Sequence, residues 1–151
     1  MNVFFPRPLE VEVWNTLSRL HNVVSRQLQQ HLERFNLTSP QYHVLRHLGE
    51  QGMLKSGNLA TLLDVTPGNL TGILDRLEAA GLIQRERDLQ DRRGWQLSLT
   101  PEGQKLYRKA VPSTRTQVKE MFAELAPEEI ATLHNLASRL LSSLRELEVS
   151  A

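Results

Sequence analysis

The spacing of apolar residues switches from a helical to a strand period near Leu82 of this 151-residue chain. Before that point apolar residues recur every three or four positions, which is the period of an amphipathic helix. Apolar and polar residues alternate from Trp95 to Leu99, and the stretch Leu82–Arg87 is also predicted to be extended. Polar residues 88–94 lie between these stretches and indicate a hairpin turn. The pattern predicts a mainly α fold with a small β-hairpin wing, in the α+β class.

Four helices are predicted before the hairpin. The first covers Leu9–Phe35, with apolar residues at helical spacing throughout. The segment Thr38–Gln41 combines a hydroxyl cap with an early proline, which marks the start of a second helix ending near residues 49–52. Ser56 opens a short third helix, and Thr66–Pro67 opens a fourth that Gly81 is suited to end.

Two further helices are predicted after the hairpin. Thr100–Glu102 starts one that extends to about Leu125, and Pro112 is expected to kink or interrupt it. Pro127 starts the last helix. Compact helices followed by a hairpin predict a winged helix-turn-helix with long terminal dimerisation helices. The rest of a chain of this length is too small to cover the apolar faces of its long terminal helices, so we expect a second copy to cover them in a homodimer.

Composition excludes several classes of function. The chain has no cysteine, which excludes disulfides, thiolate metal sites and thiol-based redox sensing. The formal net charge of +1 means that any nucleic-acid site is a local patch. No apolar run of membrane-spanning length and no signal peptide are found, so a cytoplasmic protein is expected. No catalytic triad spacing and no glycine-rich phosphate loop are present, so we predict neither an enzyme nor a cofactor.

One face of the predicted fourth helix carries short polar side chains opposite its apolar stripe. Such a face fits the major groove of DNA, although an ordinary solvated helix face has a similar composition. The candidate DNA-binding residues of this helix are Pro67, Gly68, Asn69, Thr71, Gly72 and Arg76.

The predicted hairpin concentrates opposite charges. Because the charges nearly cancel, the segment is not a general patch for binding polyanions. We interpret it as arginines held in place by neighbouring carboxylates. An arginine held at a hairpin tip is able to enter a narrow minor groove, whereas the alternative is a salt-bridged surface turn. The arginines are Arg85, Arg87, Arg92 and Arg93, and the carboxylates are Glu86, Asp88 and Asp91.

Together the helix and the hairpin resemble the MarR family of regulators, the multiple-antibiotic-resistance type. The wing residues Asp91-Arg92-Arg93 and the following Leu99–Gly103 are similar to the D-x-R and L-T-x-x-G motifs of that family. The resemblance covers nearly the whole chain and is strongest over residues 56–103. Further matching stretches are Leu37–Leu45, Leu59–Ala60, Val65–Thr71 and Leu77–Ile83.

The resemblance implies a DNA-binding regulator, in most members a ligand-responsive repressor, that binds a pseudo-palindromic operator as a homodimer. In this single domain, 1–151, residues 38–100 would form the winged-helix DNA-binding lobe. Residues 1–36 and 101–151 would form the dimerisation region.

The resemblance also assigns roles within the DNA-binding lobe. Arg93 would enter the minor groove with Asp91 as its brace, and Arg92 matches a position that is often basic. Many members carry a long polar side chain where this chain has Gly72. Base readout is therefore expected to shift to Asn69, Thr71 and Arg76.

In this family small aromatic or phenolic ligands are accommodated where the first, second and fifth helices meet. Burial of Trp14 and His21 in the dimer interface, or exposure of Arg46, is the alternative interpretation. The candidate ligand-binding residues are Trp14, His21, Tyr42, His43, Arg46 and His47.

Two alternative functions remain open at this point. His43 and His47 have the i, i+4 spacing that holds a metal ion, with His21 and His31 as further ligands, so a zinc-responsive regulator is one alternative. No complete metal site is predicted, however. The other alternative is a winged-helix interaction module without DNA binding, which would have no need for residues 91–93.

Overall fold

Helices dominate the described part of the chain, residues 8–90 and 94–149 of the computed structural model. Three short strands form one small sheet within it. The mainly α fold with a β-hairpin wing is confirmed. The elements are α1 (Leu9–Glu33), α2 (Ser39–Gln51), β1 (Leu54–Lys55), α3 (Ser56–Leu63), α4 (Pro67–Ala79), β2 (Ile83–Arg87), β3 (Trp95–Leu99), α5 (Pro101–Met121) and α6 (Pro127–Val149).

The predicted helix starts of α2 and α4 are confirmed by their capping contacts. The Thr38 hydroxyl accepts a hydrogen bond from the Gln41 backbone N–H, and the Gln41 side chain accepts one from the Thr38 N–H at 2.9 Å. The Thr66 hydroxyl accepts the Asn69 N–H at 3.3 Å, with proline at the first helical position. Both caps satisfy backbone donors that the first helical turn leaves unpaired.

The hairpin has the predicted antiparallel pairing and a third strand that was not predicted. Ile83 pairs with Leu99, and Arg87 pairs with Trp95 at the other end. β1 adds to the free edge of β3, so the strand order is β1-β3-β2. A strand of two residues is too short to show an alternating pattern, which is why the sequence did not reveal it.

The hydrophobic core joins α2, α3, α4 and the sheet to the ends of α1 and α5 that pack on them. It orients α4, because the buried side of that helix faces the core and its other side faces solvent. The largest side chains that are fully enclosed include Leu32, Leu45, Leu48, Leu59, Leu77, Ile83 and Leu97.

The start of α5 is held against the end of the α4–β2 connection. A side chain at Gly103 would bring a Cβ within 1.9 Å of the Leu82 carbonyl oxygen, so this close approach requires glycine. The Thr100 hydroxyl donates to the Gly81 carbonyl at 2.6 Å and accepts the Gly103 N–H. Of the two outcomes expected at Pro112, a kink or an interruption, the interruption does not occur, because α5 continues through it to Met121. Proline lacks a backbone N–H and therefore removes one helical hydrogen bond, but the helical turns on both sides of Pro112 are maintained.

The described residues form two compact units that divide between Arg115 and Thr116, inside α5. The first unit contains the core, the sheet and the helix-turn-helix. The second contains α6, on which no residue is buried. None of the described helices combines the length and the apolar character needed to span a bilayer.

Candidate nucleic-acid interface

The predicted DNA-binding residues of α4 all lie on its solvent side. Leu70, Leu74 and Leu77 anchor the opposite side in the core. The six exposed residues are Pro67, Gly68, Asn69, Thr71, Gly72 and Arg76.

The polar side chains on this face differ in whether they already form hydrogen bonds within the protein. The Thr71 hydroxyl donates to the Pro67 carbonyl at 2.9 Å, so its hydrogen is used within the helix. Within the described residues, the Asn69 amide and the Arg76 guanidinium make no side-chain hydrogen bond or ion pair. A Cβ built at Gly68 or Gly72 would meet no atom within 4 Å. The face therefore presents two free polar side chains and an open strip of backbone.

Arg85 of β2 is bound to α4 through two carboxylates. Its Nη1 lies 2.8 Å from Asp75 Oδ1, and its Nε donates to Glu78 Oε2 at 2.9 Å. The Glu78 hydrogen bond, partly offset by burial and reinforced by Asp75, raises the pKa of Arg85 further above its usual value. The sequence predicted that the arginines of the hairpin would be held by carboxylates of the hairpin itself. For Arg85 this is wrong, because its carboxylate partners belong to α4. This ion-pair cluster connects the base of the wing to the helix that carries the exposed polar face.

Trp95 lies under two arginines of β2. The guanidinium carbon of Arg87 lies 4.2 Å from the Trp95 ring centroid, and that of Arg85 lies 5.7 Å from it. Stacking of this kind helps to orient a guanidinium.

Asp88 organises the start of the wing loop, a role that the sequence did not reveal. Its side chain is buried and forms an ion pair with Lys55 Nζ at 2.8 Å. It also accepts a hydrogen bond from the Gln90 N–H at 3.0 Å. Its own N–H donates to the Gly94 carbonyl at 3.2 Å, which brings the two ends of the loop together. An Asp followed by a turn is a local signal, but the Lys55 partner lies far away in sequence. The predicted wing residues Asp91, Arg92 and Arg93 lie outside the described residues.

Four of the six predicted ligand-binding residues form a group on α2. The Tyr42 and His43 rings meet edge to face with centroids 5.4 Å apart. The ring nitrogens of His47 lie 3.2 Å from the Arg46 guanidinium and 3.3 Å from the Gln51 amide. Arg46 also faces Glu50 at 3.7 Å, and Arg115 of α5 reaches the same carboxylate at 2.8 Å.

Burial and the Arg46 charge set the ionisation of this group. Burial lowers the pKa of His43 and of His47, and the Arg46 guanidinium lowers both further. Burial raises the pKa of the Tyr42 hydroxyl, against the opposing effects of Thr114 and Arg46. Thr114 and Ser113, which contacts His31 at 3.2 Å, are α5 residues next to this group that the sequence did not single out.

Trp14 and His21 are not joined to the α2 group. Trp14 is 67% exposed on α1, and His21 contacts Ser25 of the same helix. No hydrogen bond, ion pair or ring contact within the described residues links either residue to α2. The described part of the chain also holds no group of three side chains suited to a metal ion.

A short helix, a second helix with an exposed polar face and a hairpin wing define the winged-helix DNA-binding proteins. A sequence profile of the MarR family matches residues 37–94. The chain is 35% identical to the HTH-type transcriptional regulator FarR of Neisseria gonorrhoeae, over 72% of this chain and 75% of that protein. It is 32% identical to the homoprotocatechuate degradative operon repressor of Escherichia coli, over 74% of this chain and 75% of that protein. The chain belongs to the MarR family, whose members are transcription regulators and not enzymes.

Solved structures share the fold over most of their length. AbsC, a MarR family regulator of Streptomyces coelicolor, is 28% identical with a TM-score of 0.87, covering 95% of this chain and 99% of that one. A point mutant of Escherichia coli MarR complexed with operator DNA is 25% identical with a TM-score of 0.80, covering 87% and 94%. Bordetella bronchiseptica BpsR, whose DNA binding is regulated by 6-hydroxynicotinic acid, is 26% identical with a TM-score of 0.77, covering 85% and 98%.

Proposed function

We propose that this chain is a repressor that binds a pseudo-palindromic operator as a homodimer and responds to a small aromatic ligand. The observation that carries the proposal is the exposed polar face of α4, beside a wing that Arg85 ties to the same helix. A helix-turn-helix protein inserts such a helix into the major groove. A wing at a fixed position relative to that helix is suited to the neighbouring minor groove. Operator binding by MarR of Escherichia coli supports the same arrangement here.

The proposed contacts divide between the two grooves. Pro67, Gly68, Asn69, Thr71 and Gly72 are proposed to face the major groove, and Arg76 to contact base or phosphate. In the wing, Arg93 is proposed to enter the minor groove with Asp91 as its brace and Arg92 beside it. The site of action would be the cytoplasm, where a bacterial operator lies.

A second copy of the chain is proposed to cover the apolar side chains that α1 and α6 leave exposed. On α6 these include Leu136, Leu140, Leu144 and Leu147. A two-fold dimer presents two reading helices to inverted half-sites. The proposed dimerisation region is residues 1–36 and 101–151, with residues 38–100 as the DNA-binding lobe.

The proposed ligand site is the group Tyr42, His43, Arg46 and His47 on α2, with Trp14 and His21 of α1 completing it in the assembled protein. Aromatic rings and one cation are suited to a small aromatic acid. The regulation of BpsR by 6-hydroxynicotinic acid supports this class of ligand. Such a ligand acts as an effector only if it binds the DNA-competent and the released arrangements with different affinities.

Selection from random duplex DNA tests the proposal. We expect the purified protein to enrich two inverted half-sites centred about one helical turn, roughly 10 base pairs, apart. The selected duplex should bind about a thousandfold or more tightly than a scrambled one, with an affinity that falls steeply as salt rises. Equal affinity for selected and scrambled duplexes, or no DNA binding at low salt, would contradict it.

The two alternative functions predict different results. A zinc-responsive regulator would carry bound metal after purification and lose operator affinity with a chelator. An interaction module without DNA binding would not be retained on heparin at low salt.

A further inference from the structure

Asn69, Gly72 and Arg76 form one row along the exposed face of α4. Their spacing of three and four residues places them on the same side of the helix. The middle position has no side chain, and a Cβ built there would meet nothing within 4 Å. The row therefore consists of a free amide near the helix N-terminus, a gap, and a free guanidinium roughly 10 Å further along the axis.

The amide at the start of this row selects among the bases. Adenine presents an acceptor, N7, beside a donor, N6, and an asparagine side chain pairs with both at once. Guanine presents two acceptors, N7 and O6, and only one half of the amide is able to donate. A free Asn69 therefore matches adenine better than guanine.

The other polar groups near Asn69 do not offset this preference. Thr71 uses its hydrogen on the Pro67 carbonyl, so it offers a methyl group and acceptor lone pairs. Those groups suit thymine or the amino groups of adenine and cytosine, and not the acceptor edge of guanine. Asp75, which would pair with the cytosine amino group, is bound to Arg85 at 2.8 Å.

We propose that Asn69 reads an adenine in each operator half-site, and that the missing side chain at Gly72 lets α4 approach closely enough for this short amide to reach it. The inference rests on the proposed function, since it assigns a base to the helix that is proposed to enter the major groove. Asparagine carries its amide on a single methylene, so a bulky neighbour in the same row would hold the helix away from the base edges.

Random-sequence selection with wild type and with Asn69→Ala tests the base assignment. We expect wild type to require one A·T pair in each half-site and the variant to accept several bases there. The variant should bind the selected duplex roughly tenfold or more weakly, within the range for a lost bidentate contact. Asn58→Ala is the matched control, because Asn58 is an exposed asparagine on α3, and it should leave every base preference unchanged.

Replacing that adenine by 7-deazaadenine removes the N7 acceptor and identifies the contact. Wild type should bind the modified duplex more weakly than the unmodified one. Asn69→Ala, which lacks the contact to N7, should bind the two duplexes with equal affinity. If wild type selects a sequence and Asn69→Ala retains every preference, or loses its preference at a G·C pair, the inference is wrong. If wild type selects no sequence at all, the proposed function itself fails.

Gly72→Leu tests the close approach separately. Leucine has the higher helix propensity, and a Cβ at this position would meet no atom within 4 Å, so the thermal midpoint should not fall. We expect operator affinity to fall at least tenfold, with weak binding to scrambled DNA retained. Wild-type affinity for the operator in a folded Gly72→Leu protein would overturn the role of the gap.

Discussion

At the start of the wing loop, the buried Asp88 carboxylate forms an ion pair with Lys55 and accepts a hydrogen bond from the Gln90 N–H, while the Asp88 backbone N–H donates to the Gly94 carbonyl. Asp88→Ala should lower the free energy of unfolding by about 1–3 kcal/mol, because the Gln90 N–H and the Lys55 ammonium lose their acceptor. Urea denaturation measures the change. Lys55→Gln is the matched control and should cost less, because Lys55 is half exposed and regains water. Equal stability of Asp88→Ala and wild type would show that these contacts do not stabilise the fold.

Arg93→Ala should weaken operator binding by roughly 1–3 kcal/mol per subunit, the range for a groove-reading arginine. Asp91→Ala should weaken it less, because that change removes only the proposed brace. Fluorescence anisotropy with the selected duplex compares the two variants at one salt concentration. Operator affinity at the wild-type level in Arg93→Ala would rule out the proposed minor-groove contact.

At the scale of a single element, α2 is expected to make the folded protein less stable in acid. The pKa of His43 and of His47 is lowered in the folded chain, so below about pH 6.5 the unfolded chain takes up protons first. The stability that the two neutral rings contribute is complete above that pH and is lost as pH falls toward their lowered pKa. Urea denaturation between about pH 7.5 and pH 5 should show a smaller pH dependence for His43→Gln than for wild type. Parallel pH profiles would mean that the protonation of His43 is not linked to folding.

The same helix is expected to respond to ligand. An aromatic carboxylate would compete with Glu50 for the Arg46 guanidinium, which faces that side chain at 3.7 Å. We expect a panel of aromatic carboxylates to contain compounds that change tryptophan fluorescence and release the operator. Trp95→Phe removes the tryptophan of the wing and leaves the signal of Trp14, and both responses should weaken in Arg46→Ala.

His21→Ala tests whether α1 contributes to the same site. It should reduce the response to a compound that wild type senses. If no compound changes both readouts, or if Arg46→Ala and His21→Ala respond as wild type does, the proposed ligand site is wrong.

For the whole molecule, the exposed leucines of α6 predict association. Leu140 and Leu144 are each 50% exposed, and stable dimers bury about 1,600 Å² or more. Leu140→Glu combined with Leu144→Glu should convert the dimer to monomer or aggregate, as sedimentation at micromolar concentration would show. Leu89→Glu is the control, since Leu89 is 96% exposed in the wing loop, and it should leave the dimer intact. A wild-type protein that sediments as a monomer would contradict the dimer.

The sequence by itself determined the helices, their starts and the hairpin, because these depend on neighbours within a few positions. The Thr38 and Thr66 caps and the alternating strand Trp95–Leu99 are examples of such local signals. The exposed face of α4 was also predictable, because its buried leucines recur with the helical period.

Only the tertiary structure decided which distant residues meet. Lys55 pairs with Asp88 across the sheet, Arg85 binds the carboxylates of α4, and β1 pairs with β3. Each of these contacts joins segments that the core packs together, and no periodic pattern or short motif encodes such a partner. Spacing along the chain specifies which face a residue occupies, whereas packing between elements specifies what that face touches.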